Sequence, residues 1–173
     1  MTDATLPLAS SVALLFPELE RELAKTRRLL ERFPDDQAGW QPHPKSRSLA
    51  SLASHIASLG IGAELLQTDE IDVSARPVLV VHDTAGQLLT LFDERAGALR
   101  AALRETTAER LDQTWTLRIG PQVLLAQPRR VTFREMVINH FIHHRAQLGV
   151  YYRLLDVAVP ATYGPSADEP MAV

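Results

Sequence analysis

Residues 132–156, TFREMVINHFIHHRAQLGVYYRLLD, contain three of the six histidines of the chain. Thr132 and Glu135 have the spacing of a capping box, in which a hydroxyl and a carboxylate each bond to a free backbone amide. Apolar residues then recur about every three to four positions, as on a helix that packs one face on a core. They are Phe133, Val137, Phe141, Leu148, Tyr151 and Leu155. The pattern predicts one long helix from Thr132 to Asp156.

His140 and His144 fall on the apolar face of this predicted helix. Side chains four positions apart lie above one another, so both imidazoles should point inward together. His143 is rotated by about 100° and should lie on another face. A polar ring in an apolar environment needs a hydrogen-bond partner or a metal. Two rings at this spacing can reach one metal ion, although each could also be a core histidine with its own partners.

A third histidine lies on the apolar face of a second predicted helix, from Ser48 to Leu66, with Ser46 or Ser48 as its cap. His55 lies there among Leu52, Ile56, Leu59, Ala63 and Leu66. Three separate core histidines would need three separate sets of partners, whereas one metal ion would satisfy all three. The sequence therefore predicts a divalent metal site formed by His55, His140 and His144.

Composition limits the class of protein. A chain of 173 residues is long enough for one domain with a sizeable core. The net charge of −3 is mixed along the sequence, so no basic stripe indicates nucleic-acid binding. The absence of cysteine excludes disulfides and a protein thiol as nucleophile or ligand. No basic region precedes the first apolar residues, and no apolar run approaches membrane-spanning length, so we expect a cytoplasmic protein without membrane contact.

The remaining elements follow from the same patterns. Apolar residues at helical spacing predict helices from Pro17 to Phe33 and from Thr84 to Glu105. Thr68 to Asp83 is a long connection of the kind that crosses over a helical bundle. Thr114 to Gln127 alternates around Gly120-Pro121, which predicts a small hairpin or two extended arms.

The order of these elements predicts an all-α fold in one domain, residues 1–173. It is a four-helix bundle with a long crossover between helices 2 and 3 and a short irregular or hairpin segment before helix 4. We expect Val78–Val81 to cover one end of the core and Trp40 to pack on the bundle end. His43 should be exposed in a loop, and His82 should lie on the surface or near the site without being a ligand.

Three stretches together resemble the DinB/YfiT-like family. They are SLASLASHIASLG at residues 48–60, NHFIHHRAQL at 139–148 and PATYGPSADE at 160–169. The order of the helices also fits, and the resemblance covers essentially the whole chain. It implies a four-helix bundle that binds one divalent metal ion through His55, His140 and His144. His143 would not be a ligand.

The resemblance also carries expectations about activity. Family members are often homodimers, and some are metal-dependent transferases that use low-molecular-weight thiols such as bacillithiol or mycothiol. Others are related to mycothiol-dependent isomerases, and many have no established activity. The metal could be zinc, nickel or iron, because imidazole ligands suit all of them.

The leading hypothesis is an enzyme in which the metal activates a small external thiol for transfer to an electrophilic small molecule. Catalytic metal sites keep a coordination position open, and three protein ligands leave one. A metal-hydroxide hydrolase is the second hypothesis, but it needs a nearby base. Glu64 lies about two turns beyond His55, too far to be assigned. The third hypothesis is a non-catalytic, stress-associated metal-binding protein.

Three further side chains, Arg145, Gln147 and Tyr151, have two interpretations each, and Tyr163 has one. Arg145 and Gln147 could orient a ligand or solvent near the metal, or they could form an ion pair and a surface amide that hold the tail. Tyr151 could line the pocket or belong to the core. Tyr163 should anchor the tail by packing, with its hydroxyl hydrogen-bonded.

Overall fold

The computed structural model describes residues 15–170, so the ends of the predicted domain 1–173 lie outside the described residues. The helices are α1 Leu19–Leu30, α2 Leu49–Ala57, α3 Gly62–Gln67, α4 Ala85–Glu105, α5 Ala108–Asp112, α6 Arg129–Phe133 and α7 His140–Leu154. A π-helical segment, Arg134–Asn139, joins α6 to α7. The strands are β1 Glu70–Asp72, β2 Thr114–Ile119 and β3 Gln122–Pro128.

Four helices enclose the main core. α1 contacts α4 and α7, and α2 contacts the same two helices. The apolar faces predicted from periodicity point into this core: Leu23, Leu30, Leu52, Ile56, Leu99 and Phe141 are buried. The mainly helical architecture is therefore confirmed.

The predicted second helix is interrupted. Its N-cap is Ser48, whose hydroxyl oxygen accepts from the Ser51 amide, but the helix divides into α2 and α3. Leu59 and Gly60 between them have φ angles of 49° and 57°, which end regular helix. Residues Leu49–Gln67 together are long and apolar enough to cross a membrane, contrary to the sequence-based expectation, but most of this segment is buried in the core.

The histidine-rich helix begins earlier than predicted. α6 starts at Arg129, and Thr132 is buried within it with no hydrogen-bond partner for its Oγ1. Glu135 instead accepts from the Gln127 side chain at 2.9 Å, so the predicted capping box is wrong. The helix continues through the π segment and α7 to Leu154, just short of the predicted end at Asp156, whose φ of 57° is left-handed.

A three-stranded sheet corrects the all-α prediction. β2 and β3 form the predicted hairpin with Gly120-Pro121 at its turn, and Gly120 has a φ of 54°, which favours glycine. β1 lies in the crossover segment and pairs parallel with β2. Arg118 on β2 forms ion pairs with Glu70 and Asp72 of β1. The crossover is thus held to the hairpin, rather than lying free over the bundle.

The rest of the crossover does not cover the core. Val78, Val80 and Val81 are 92%, 67% and 51% exposed, so the predicted role of Val78–Val81 is wrong. Trp40 is half-buried and packs edge-to-face on Tyr151, with ring centroids 5.5 Å apart. The expected exposure of His43 is confirmed.

A buried ion pair joins α1 to α7. Glu22 and Arg145 are each only 3% exposed, and Arg145 Nη2 lies 2.6 Å from Glu22 Oε2. The Tyr163 hydroxyl donates to the same carboxylate oxygen at 2.7 Å. Burial raises the pKa of the Glu22 carboxyl, but the hydrogen bonds from Tyr163, Arg145 and Lys25 outweigh it and lower the pKa. The carboxylate is therefore ionised and paired at neutral pH.

The tail segment 160–169 forms ion pairs with the same two helices. Glu169 pairs with Arg28 of α1 at 2.7 Å, and Asp168 pairs with Arg153 of α7. Together with the Tyr163–Glu22 hydrogen bond, these contacts hold the tail segment against both helices. The anchoring hydrogen bond expected for Tyr163 is confirmed, although its ring is 67% exposed.

Replacing Arg145 with Met should lower the free energy of unfolding by about 3–5 kcal/mol, because it removes the buried partner of the Glu22 carboxylate and leaves only the partly exposed Lys25 as its cation. The matched control is Arg100→Met on α4, which breaks an exposed bidentate pair with Glu20. That change should cost at most about 1 kcal/mol. Urea unfolding at neutral pH measures both. Similar small losses in the two variants would contradict a stabilising role for the buried pair.

Candidate metal centre

His55 of α2 and His140 and His144 of α7 meet at one point between the two helices. Their potential ligand nitrogens all lie within 4.8 Å of one another. His55 Nε2 is 2.8 Å from His140 Nε2, and the three ring centroids are 4.5–5.0 Å apart. Each ring is half-buried. The structure thus brings together the three histidines singled out by the sequence, and we call them the histidine triad.

The positions of the triad follow from the helices that carry it. His55 lies between the buried residues Leu52 and Leu59 at the edge of the core face of α2. His140 is the first residue of α7, directly after the π-helical segment, and His144 follows one turn later. A π turn inserts an extra residue into the helix, and such turns are frequent at functional sites.

All three imidazoles favour the neutral form. The pKa of His55 is lowered to about 4. Burial is the largest cause, and the positive charges that His144, Arg47 and His140 can carry lower it further. Burial also lowers the pKa values of His140 and His144. Metal ligation requires a deprotonated imidazole nitrogen, so the triad is ready to bind a cation at neutral pH.

Gln147 fixes the orientation of His144. Its Oε1 lies 2.7 Å from His144 Nδ1, and its Nε2 lies 3.1 Å from His143 Nε2. An amide oxygen can only accept, so His144 Nδ1 carries the hydrogen and Nε2 keeps its lone pair for a metal. His143 is exposed and accepts from the amide. Gln147 therefore has the orienting role, whereas Arg145 forms the buried ion pair described above.

The donor set fits one divalent cation. Three imidazole nitrogens match the protein ligands of catalytic zinc sites, which leave a fourth position for solvent or substrate. Within residues 15–170, no carboxylate joins the cluster. The same ligands suit zinc, nickel and iron. Glu64 pairs with Arg76 at 2.7 Å and is not part of the cluster.

Other side chains lie beside the triad without joining it. The Tyr151 hydroxyl donates to the Arg47 carbonyl at 3.3 Å, which joins the start of α2 to the end of α7. His82 contacts the site indirectly, because its backbone amide donates to the buried Ser54 hydroxyl at 2.8 Å, next to His55. Arg47 carries no sequence pattern that marks it, since it lies outside α2, directly before the N-cap residue Ser48.

The metal-free protein should lose stability as the pH falls from about 6.5 toward 4. The unfolded chain binds protons at histidine near pH 6.5, whereas His55 stays neutral in the folded state down to a pKa of about 4. The unfolded state therefore binds more protons in this window, and the free energy of unfolding decreases as pH falls. Urea midpoints of wild type and His55→Asn, at neutral and mildly acidic pH, measure the effect. The wild type should lose more stability on acidification than His55→Asn. An equal loss in the two proteins would contradict a lowered pKa of His55 in the folded state.

Gln147→Leu should weaken metal binding about 10- to 100-fold, because the hydrogen bond that orients His144 is lost. Gln67→Leu, at the exposed end of α3, is the matched control and should bind metal as wild type does. Competition with a chromogenic chelator for Zn²⁺ gives both dissociation constants. Wild-type affinity in Gln147→Leu would show that the amide contact does not orient the ligand.

Comparison with known proteins agrees with this architecture. The family model of the DinB superfamily matches residues 18–148. The structure is similar to a DinB-like protein from Bacillus cereus ATCC 10987, with a TM-score of 0.67, 21% identity, and coverage of 86% of this chain and 95% of that chain. It is also similar to the DinB-like protein YjoA from Bacillus subtilis, with a TM-score of 0.67, 20% identity, and coverage of 91% and 99%.

A search of curated proteins found no match. The two solved structures share this fold over most of their length and most of this chain. The match to the family model covers most of the sequence, from the residue before α1 to a point within α7. The chain belongs to the DinB superfamily.

Proposed function

We propose that this protein is a metal-dependent enzyme that transfers a small thiol to an electrophile. The observation that carries the proposal is the open donor set of the histidine triad. His55, His140 and His144 present three neutral nitrogens to one point, and no other histidine and no carboxylate of residues 15–170 joins them there. Structural metal sites are normally closed by four protein ligands, whereas catalytic sites keep a free position.

The chain prepares this position in two ways. Burial keeps the imidazoles neutral, so they do not compensate the charge of a divalent cation. The rings remain half-exposed, so a small molecule can approach. A bound divalent cation would supply Lewis acidity, which lowers the pKa of a thiol that coordinates it.

The thiol must come from outside, because the chain has no cysteine. In the proposed reaction, the thiol loses its proton to solvent and its sulfur forms a bond to an electrophilic carbon. With an alkyl or aryl halide, the carbon–halogen bond breaks and the halide leaves with the electron pair. With an epoxide, a carbon–oxygen bond breaks and the oxygen takes up a proton from solvent. The protein itself is unchanged at the end.

The triad supports this proposal more directly than the hydrolase alternative. Hydrolysis needs a base beside the attacking water. Glu64, the acid nearest in sequence to His55 on the following helix, is engaged with Arg76. A non-catalytic metal-binding protein remains the other outcome of the experiment below. Homodimerisation, which rests on the family resemblance, and a cytoplasmic location, which rests on the sequence features described above, are part of the same proposal.

Removing the metal should reduce thiol transfer to the uncatalysed background. Protein reconstituted with Zn²⁺, Ni²⁺ or Fe²⁺ is mixed with 2-mercaptoethanol or cysteine and 1-chloro-2,4-dinitrobenzene, and the coloured thioether is followed. The His140→Ala, His144→Ala double variant should contain no stoichiometric metal and show no rate above background. His143→Ala is the matched control and should retain the metal, because His143 is not in the triad.

Equal rates with metal-loaded and metal-free protein would contradict the proposal. If metal binds and raises the melting temperature but no thiol is transferred to any electrophile, the non-catalytic alternative holds. A free metal concentration of a hundred times the dissociation constant should raise the free energy of unfolding by about 2.7 kcal/mol.

A further inference from the structure

Arg47 lies beside the histidine triad and is held by both helices that form it. Its Nη1 lies 3.4 Å from the Ser51 hydroxyl, at the outer limit of a hydrogen bond. Ser51 is one helical turn before His55, on the same face of α2. The Arg47 carbonyl accepts from Tyr151, which follows His144 by two turns on α7. These contacts place the guanidinium at the end of the site where α2 begins and α7 approaches its end.

The electrostatic effect of Arg47 on the triad agrees with this position. Its positive charge contributes to lowering the pKa of each of the three histidines, although burial is the larger cause in every case. Because the guanidinium reaches Ser51, one turn before His55 on the same face of α2, it lies on the side of the triad where α2 begins.

Arg47 has no acidic partner in the described part of the chain. Many other arginines do: Arg27, Arg28, Arg76, Arg100, Arg118, Arg129, Arg145 and Arg153 form ion pairs with carboxylates. The triad has no acid either. A divalent cation held by the triad would add its charge to that of Arg47, and no carboxylate of residues 15–170 belongs to the triad or pairs with Arg47 to offset it.

The chemistry of this site favours an anionic ligand. A guanidinium is a planar fork of donors that matches a carboxylate in two parallel hydrogen bonds. Trp40 packs edge-to-face on Tyr151, whose hydroxyl contacts the Arg47 carbonyl, so an aromatic pair adjoins the Arg47 backbone. We propose that Arg47 determines specificity, and that the thiol or other ligand bound at the triad carries a carboxylate that pairs with its guanidinium. This inference rests on the proposed function for the identity of the reaction, but not for the presence of the anion site.

Two ligand pairs test the inference on Co²⁺-loaded protein, whose visible spectrum changes when a ligand enters the coordination shell. The first pair is 3-mercaptopropionate and 2-mercaptoethanol, which differ by a carboxylate. The second pair is imidazole-4-acetate and imidazole, which bind metals without a thiol. For each pair, the ratio of dissociation constants is measured in wild type, Arg47→Gln, Arg47→Lys and Arg104→Gln.

The preference for the carboxylate member should fall roughly tenfold in Arg47→Gln relative to wild type, the effect of about one charged hydrogen-bonded pair. Arg47→Lys should retain part of it, because lysine keeps the charge but not the fork. Arg104→Gln changes an exposed arginine on α4 that forms no ion pair within the described residues, and it should behave as wild type. Comparing ratios between variants cancels the intrinsic differences between the two ligands.

An unchanged ratio in Arg47→Gln for both ligand pairs would overturn the inference, provided that this variant still binds one Co²⁺ per chain. The test separates the two proposals because it needs no turnover. An Arg47-dependent preference without thiol transfer would contradict the proposed reaction and keep the anion site. Thiol transfer without any Arg47-dependent preference would support the proposed reaction and overturn the anion site.

Discussion

The buried pair of Glu22 and Arg145 sets the rotation of α7, and the histidine triad depends on that rotation. Arg145 follows His144 directly, and successive residues on a helix point about 100° apart. With Arg145 directed at α1, His144 is directed toward α2 and His55. A charged pair costs desolvation energy, and breaking one member costs more than the pair gains. The arrangement therefore resists any turn of α7 that would separate the imidazoles.

The two polar clusters of the core differ in how their hydrogen bonds are satisfied. Around Glu22, the carboxylate receives hydrogen bonds from Arg145 and Tyr163, and the guanidinium also reaches backbone and hydroxyl oxygens. In the histidine triad, three ring nitrogens converge with one close contact, between His55 and His140. Half-buried lone pairs without donors are unfavourable unless something binds them. The first cluster is complete within the chain, and a bound cation would complete the second.

Periodicity in the sequence predicted the helices and the triad because both depend on local spacing. His140 and His144 share a face by geometry alone, and His55 lies on an apolar face of its own helix. The features that were missed depend on distant partners. Glu22 looks like a surface residue until Arg145, far along the chain, is placed against it. β1 is too short to show alternation and exists because β2 lies beside it. The capping box at Thr132 was wrong because hydroxyl and acid spacing cannot reveal that the helix had already begun at Arg129.

The π-helical segment Arg134–Asn139 separates α6, which packs in the core, from α7, which carries His140 and His144. A single π turn is what a one-residue insertion into an α-helix produces, since the extra residue is absorbed as a wider turn. Such an insertion rotates everything after it relative to everything before it. The α6 end can therefore keep Phe133 and Arg129 in the core, while the α7 end presents its histidines at a different angle. In evolutionary terms, this segment lets the orientation of the ligands change without altering the residues that anchor the helix.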